Sequence, residues 1–467
     1  MQSKPFKDLF AIPLRNGLTK PKAVRGAGTK MVNMGELFAN PRMKNVTMDR
    51  VPLNQAERNS SLLKAGDLLF ARQSLVLAGA GKCSIFVNDD EEVCFESHVI
   101  RCRLNRDLAD PDFYFYFFSS STGRKLIESI VEQGAGASGI RGSDLAELQV
   151  PWVDLAIQIR VAAVLRHLDD KIDLNRRINQ TLEAMAQAIF KSWFVDFDPV
   201  KAKIAAIEQG QDPLRAAMRA ISGKTDAELD QMPREHHDQL AATAALFPEA
   251  MEESELVEIP KGWAVNTLGS VTNYLSRGIS PKYLENGGIL VLNQKCIRDF
   301  RVDESKGRRH DSTQRKIDGR ALELGDVLIN STGVGTLGRV AQVLCLNEPT
   351  IVDSHVTVVR ASHELNASYL GQYINWKQPN IEAMGEGSTG QTELSRVKLA
   401  ELLVLTPREN VLKVFDNLIS PLNNEISAND RESVKLAKLR DTLLPKLLSG
   451  ELSVSDVGKL SDTTGAA

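Results

Sequence analysis

Apolar residues step by three and four through two long stretches of the chain. Ile157, Val161, Leu165, Leu168 and Ile172, continued by Leu182, Ile189 and Trp193, mark one face of a helix. Val411, Phe415, Ile419, Leu422, Ile426, Leu436, Leu443 and Leu447 mark another, and each follows its counterpart at one interval, 411 − 157 = 254. This spacing predicts two amphipathic helices of ~40 residues, each about 60 Å long, pairing antiparallel through a heptad-like seam as a rigid spacer. Midway along both seams the apolar residue gives way to Asn175 or Asn429. A buried Asn would cost stability and fix register; an Asn at a wet edge would do neither. Pro421 predicts a kink near the first third of the second helix, and Pro445 a disturbed end.

Shorter Val/Ile/Leu/Phe runs bounded by Gly turns predict strands: GDLLFA, CSIFV and SHVIRCRL early on, GDVLINS, GRVAQVLCL and SHVTVVRA later. The runs FYFYFFSSSTGRKLIESIV and ASYLGQYINWKQPNIEAM each predict one helix. These sets are copies. Gly66-Asp67 returns as Gly325-Asp326, 325 − 66 = 259, and Ser97-His98 returns as Ser354-His355, 354 − 97 = 257. A slowly drifting interval is what two diverged copies with small loop insertions leave, so the chain is a tandem duplication with implied pseudo-two-fold symmetry. The expected class is α+β: two similar globular units of twisted, mostly antiparallel sheet plus helices, separated by the two long antiparallel coiled-coil helices. Expected bounds are 1–152 and 257–406 for the globular units, 153–197 and 407–450 for the helices, 198–256 for an acidic, partly helical connector, and 451–467 for a flexible tail.

The 467 residues are 42% hydrophobic and 25% charged, which is ordinary for a soluble globular protein. Neither a membrane-length apolar run nor a leader-like start is present, so a cytoplasmic protein is expected. The five cysteines include no CxxC pair, which argues for reduced thiols rather than a disulfide framework or a zinc site. A net charge of −3 argues against a nucleic-acid partner until it is divided. Residues 1–150 carry 20 − 17 = +3, residues 151–258 carry 12 − 19 = −7, and residues 259–407 carry 17 − 15 = +2. Mildly basic copies on an acidic frame are compatible with two local phosphate-binding surfaces.

A catalytic constellation is not found. STGVGTLG contains a GxGxxG, but it runs into a predicted strand rather than opening a helix; a glycine-rich hairpin tip delivering Arg339, and Lys82 in the other copy, describes it better. GAGKCS fails the phosphate-loop pattern, and GxSxG, HExxH and the methyltransferase pattern [DN]PP[YF] are absent. Adjacent Ser-His pairs on a strand face opposite sides, so a structural role is expected for them. His236-His237 on a polar connector reads as inert. The remaining readings are a binding protein, a self-sufficient nuclease or methyltransferase with an unrecognised site, and a structural protein pairing through its coiled coil.

LDDKIDLNRRINQTLEAMAQAIFKSWFVDFDPV (168–200), LRDTLLPKLLSGEL (439–452), IPKGW (259–263) and the paired strands GDLLFARQS and GDVLINSTG together resemble one family, the specificity subunits of Type I restriction-modification enzymes. The resemblance spans essentially the whole chain. It implies two target recognition domains that read a bipartite double-stranded DNA sequence with an unspecified gap. It also implies two methyltransferase subunits, bringing S-adenosylmethionine and docking around the helices, and two restriction subunits using ATP and Mg. This chain would bind no cofactor or metal, touch no membrane and catalyse nothing. One departure is that nothing before the first copy corresponds to Gly262-Trp263, which predicts an abbreviated edge there.

Bases are read by Arg, Lys, Asn and Gln at groove edges, so candidates are polar residues on Gly-rich loops beside strands. In the first copy these are Lys30, Asn33, Arg72, Gln73, Ser74, Lys82 and Arg141; in the second they are Arg277, Lys282, Gln294, Lys295, Asn330, Thr332, Arg339 and Gln391. The candidate subunit-assembly residues are the helical seams, Leu165, Leu168, Ile172, Asn175, Leu182, Ile189 and Trp193 with Leu422, Ile426, Asn429, Leu436, Leu443 and Leu447. Because the copies differ most at these loops, the two halves of the target are expected to differ, with half-sites about one DNA turn (~34 Å) apart.

Overall fold

A computed structural model describes residues 2–134, 136–254, 258–386 and 392–452. The chain divides into two compact units, Met1–Asn175 with Glu432–Ala467, and Arg176–Arg431. Each long helix is therefore shared, its first part belonging to one unit and its last part to the other.

In the first unit β1 (Gln2–Pro5) leads to β2 (Phe10–Asn16), and β3 (Asp67–Ala71), β4 (Cys83–Asn88) and β5 (Val99–Leu104) complete the main sheet in the order β2-β5-β3-β4. These neighbours are antiparallel, and the short strand Arg42–Lys44 adds to β4 in parallel. The second unit repeats the arrangement. Its β8 (Thr272–Arg277), β9 (Val327–Asn330), β10 (Val340–Gln342) and β11 (Val356–Ala361) are ordered β8-β11-β9-β10, all antiparallel. Beside each sheet lies one parallel pair, Thr29–Val32 with Val93–Phe95 and Ile289–Leu292 with Thr350–Val352.

The duplicated Gly-Asp explains itself. Gly66 and Gly325 hold φ of +87° and +90°, where a Cβ is strained, and each turns the chain into its central strand. The following Asp67, wholly buried, accepts from Arg103 Nε at 2.6 Å and Nη2 at 2.7 Å, and from the Lys64 amide at 2.8 Å. Asp326 does the same with Arg360, at 2.7 and 2.8 Å, and the Glu323 amide at 2.8 Å. A bidentate pair with its remaining lone pairs occupied is what lets a carboxylate sit in a core.

The first run of aromatic residues predicts one helix, but two form: α1 (Pro111–Ser119), capped by Asp110, and α2 (Ser121–Glu128). Ser120 separates them because its hydroxyl caps α2, accepting from the Gly123 amide at 3.1 Å, while its own backbone is extended. Tyr114 reaches from α1 to the Pro151 carbonyl at 3.0 Å, on β6 (Gln149–Trp152). In the second unit Tyr369 on α4 (Ala367–Ala383) reaches the Leu405 carbonyl at 2.6 Å, on β12 (Leu403–Thr406).

The first copy is not abbreviated at its edge. β1 pairs with β6, Gln2 opposite Trp152, as β7 (Ala264–Thr267) pairs with β12, Ala264 opposite Thr406. What the first copy lacks is the indole itself. Trp263 packs against Phe194, Phe197 and Phe247, a cluster of rings specific to the second unit.

The long helices are α3 (Leu155–Phe194) and α5 (Glu409–Ser449). The second runs unbroken through Pro421 and Pro445, so neither proline ends it. They pair antiparallel in both units: Asp169 meets Arg440 at 2.7 Å in the first, and Phe190 stacks toward Phe415 in the second. Both Asn are buried, which rules out the wet edge. In the first unit Asn175 Nδ2 donates to Glu432 at 2.7 Å and Ser433 Oγ at 3.4 Å; in the second Asn429 Nδ2 donates to Asn179 Oδ1 at 2.9 Å. Since 429 − 175 and 433 − 179 are both 254, the Asn175–Ser433 and Asn429–Asn179 contacts are one contact made twice.

The seam residues are core of this chain. Leu165 packs with Leu443 and Leu447 in the first unit, and Trp193, Ile189 and Leu422 join the core of the second. Ile426 is buried, while Leu168, Ile172, Leu182 and Leu436 are half-buried. Leu165, Leu443, Leu447, Trp193 and Ile426 are thus buried within this chain. Apolar side chains left exposed on the same helices are Ile157, Ile159, Leu174, Val434 and Leu439 in the first unit and Met185 and Leu418 in the second, so Ile157, expected on the apolar face, is not buried.

The connector is more ordered than its polar, Ala-rich composition suggests. Helices Asp198–Glu208, Pro213–Ser222, Asp226–Asp230 and Arg234–Ala245 enclose a small core of Ala217, Met218, Leu229 and Ala244. Phe247 then docks edge-on against Trp193 at 5.0 Å, and buried Lys203 donates to the Phe247 carbonyl at 2.8 Å. No helix among the described residues is long and apolar enough to cross a membrane. Most of the expected tail, 453–467, lies outside the described residues.

Candidate nucleic-acid interface

In the first unit the loop after β3 carries Gln73-Ser74 as a short strand that adds to the hairpin Glu132–Gly134 and Ala137–Gly139. Together they line an open cleft of ≈ 390 Å³ whose walls include Asn16, Arg72, Gln73, Gln133, Ser138 and Arg141. Three of the candidates thus meet. Among the described residues the Arg72 side chain is tethered only by a long 3.5 Å contact to the Ser97 carbonyl, and Arg141, 66% exposed, pairs with Glu132 at 2.8 Å. An exposed pair of this kind is worth little in water and exchanges readily for a phosphate or a base edge. Next to the cleft Leu75 is 88% exposed and Val76 also stands in solvent.

The tip that carries these aliphatic side chains is braced. Ser74 Oγ accepts from the Val76 amide at 3.2 Å, and Arg124 donates to the Ala78 carbonyl at 3.0 Å. Lys82, expected to project from this tip, instead donates to the Phe38 carbonyl at 3.0 Å with its ammonium 5.3 Å above the Phe38 ring. Burial pushes its pKa down. Lys30 is held by Asp89 at 2.9 Å, which raises its pKa, and Asn33 caps the helix Met34–Ala39 while accepting from Arg25 at 3.0 Å. These three are braces, and the structure does not gather them with Arg72.

The equivalent loop of the second unit follows β9. Thr332 Oγ1 meets His355 Nδ1 at 2.8 Å, and Arg277 pairs with Glu393 and donates to the Leu394 carbonyl at 2.8 Å. Arg339 folds back on the Gly335 carbonyl at 2.7 Å, and Gln294 lies against Gly333. Val334, 80% exposed, occupies the tip as Leu75 and Val76 do in the first copy. Asn330 is a correction: fully buried, it donates to the Gln294 carbonyl at 3.1 Å and cannot reach a ligand without unfolding the loop. Lys282 and Lys295 are exposed on neighbouring loops and make no ion pair among the described residues. Gln391 lies outside the described residues.

Sequence reasoning missed Gln133 and Ser138 on the hairpin. A signal existed, since EQGAGASGI and EGSTGQTEL are Gly/Ser-rich runs at matching positions in the two copies. Among the described residues there is no group of three or more His, Cys, Asp or Glu that could hold a metal ion.

A family model described as the Type I restriction modification DNA specificity domain matches residues 1–184. The chain is 28% identical over 415 residues to the Type I restriction enzyme HindI specificity subunit of Haemophilus influenzae, covering 84% of this chain and 87% of that one. By these matches the chain is similar to the Type I restriction-modification specificity subunits. The MjaIX specificity subunit of Methanocaldococcus jannaschii is 24% identical, over 75% of this chain and 71% of its own length. A crystal structure of a Type I restriction-modification S subunit from M. genitalium superposes with a TM-score of 0.50 at 15% identity, covering 96% of this chain and 95% of that one, a likeness of fold.

Proposed function

We propose that this specificity subunit reads a bipartite, asymmetric sequence in double-stranded DNA, one part with each copy. Supporting this is one observation: the frame is repeated contact for contact while the loops are not. The Gly-Asp struts, the Tyr114 and Tyr369 hydroxyls donating to edge-strand carbonyls, and the paired edge strands recur in both units. The tips differ in residue type, Leu75-Val76 against Val334 and Arg72-Gln73 against Ser331-Thr332. Direct readout depends on which donors, acceptors and methyl groups a loop presents, so unlike loops read unlike sequences.

In this reading the chain is non-catalytic. Two methyltransferase subunits supply S-adenosylmethionine and modify adenine, and two restriction subunits supply ATP- and Mg-dependent cleavage. Their docking would use apolar side chains that the helix seams leave exposed, such as Met185 and Leu418 in the second unit and Leu439 in the first. The subunit works with cytoplasmic DNA. Mapping modified adenines in a host with and without the gene tests the proposal: one motif in two unlike parts should vanish with the gene. A palindromic motif, or no change, would contradict it.

A further inference from the structure

Strand β5 places Arg101 and Arg103 on the same face, and their circumstances are opposite. Arg103 donates to Asp67 from Nε and Nη2. Arg101 is only 4% exposed, its side chain makes no hydrogen bond or ion pair among the described residues, and its Nε is sealed from solvent without a partner. A buried cation left in this state is costly, and native structures rarely keep one without a reason.

The second copy shows that the fold does not need it. Arg101 stands opposite Leu69 and Arg15; at the same register Val358 stands opposite Leu328 and Ser276. Val358 is simply core. The first copy has therefore put two guanidinium groups, directly across a strand pair, where the second has a Val and a Ser. Like charges so placed repel unless an anion lies between them.

Both line an open cleft of ≈ 980 Å³ in the first unit, together with Arg58, Lys64, Arg103 and Glu92. The cleft's own carboxylate, Glu92, is taken by Arg58. Arg15, Lys64 and Arg101 make no ion pair among the described residues. Desolvation pushes the Arg101 guanidinium below its ordinary range; the pull of Asp67 opposes it, and the positive neighbours Arg103 and Arg15 each add a smaller push downward.

We propose that this cleft is a binding site for a phosphate oxyanion, gripped by the guanidinium forks of Arg101 and Arg15 with Lys64 at the rim. Planar forks match phosphate geometry in a way a lone ammonium does not. The phosphate could be a phosphodiester of bound DNA or a free phosphate or pyrophosphate group. The site stands apart from target reading, because Arg101 and Arg15 need no base to recognise it.

The test uses the full chain and the variants Arg101→Val and Arg15→Ser, each importing what the second copy has at that position. Melting is followed with inorganic phosphate, pyrophosphate and, as an ionic-strength control, chloride. Binding to a nonspecific duplex is measured against salt. The parent should be stabilised saturably by phosphate or pyrophosphate and not by chloride, and both variants should fold and lose that shift. If the occupant is a DNA phosphodiester, the slope of log K against log salt should also become shallower by about 0.9 in each variant. An unchanged slope with loss of the phosphate shift assigns the site to a free anion. Variants that keep both the shift and the slope would overturn the proposal. So would a parent that shows no phosphate-specific shift and shares its slope with the variants, or an Arg101→Val chain that melts well below the parent without phosphate.

Discussion

Arg72→Ala separates a reading role from a structural one. Among the described residues the side chain has a single tether, a 3.5 Å contact from Nη1 to the Ser97 carbonyl, at the outer limit of a hydrogen bond. Its loss should cost stability at most about 0.5 kcal/mol, well under the net worth of a good hydrogen bond. For a unit of this size that lowers the melting temperature by no more than about 2 °C. Against DNA the same guanidinium, if it reads a base with both nitrogens, contributes about 1–3 kcal/mol of discrimination, roughly 5- to 150-fold in affinity for the cognate site. The assay is paired: thermal melting of the variant, and binding or modification at cognate and single-base-altered duplexes. Cognate binding should fall with melting unchanged, and the loss should be smaller on duplexes altered at one base of one half-site. A melting temperature lowered by about 10 °C with a uniform loss of binding would refute the reasoning and make Arg72 a structural residue.

Removal of either strut carboxylate, Asp67→Ala or Asp326→Ala, should destabilise its own unit by about 3–5 kcal/mol, because Arg103 or Arg360 then loses its buried partner; differential scanning calorimetry should show one transition moving in each variant. In the second unit Arg301 bridges Glu183 and Asp430, whose carboxyls are raised by burial and held back by that cation. A carboxyl with a raised folded pKa gives its stability below its unfolded pKa and loses it as pH rises through the folded one, so Arg301→Met should lose more stability at pH 7 than at pH 4.5. Equal losses in chemical denaturation at the two pH values would contradict this. Met185→Glu and Leu439→Glu, on exposed helix positions, should leave melting within about 1 °C while abolishing co-purification with methyltransferase subunits. By contrast, Leu182→Glu should lower melting itself, because Leu182 is half-buried on its helix.

The frame was legible because its parts are self-announcing. Gly-Asp recurs since a positive φ and a buried bidentate carboxylate are needed at the same turn twice, and the helical seams recur since each buries one face. The break at Ser120 was not legible: a hydroxyl that caps α2 looks like a polar residue within one amphipathic run. Loop side chains were the least legible. Lys82 turns to a carbonyl 44 residues away and Asn330 to one 36 residues away, and no local pattern encodes such partners. Arg101 escaped notice for a different reason. Alternation placed it correctly on a strand, and only its registration against Val358 shows that a cation there is out of keeping with the fold.

The division of reading between the copies is tested most directly by a chain in which residues 264–406 are replaced by a second copy of residues 2–152, both bracketed by the same pair of edge strands. Modified bases would be mapped in a host carrying it. If each copy reads its own part, the asymmetric motif should be replaced by one whose two parts are inverted repeats, built from the half that the first copy reads. Modification that keeps the parent's asymmetric motif would contradict the account.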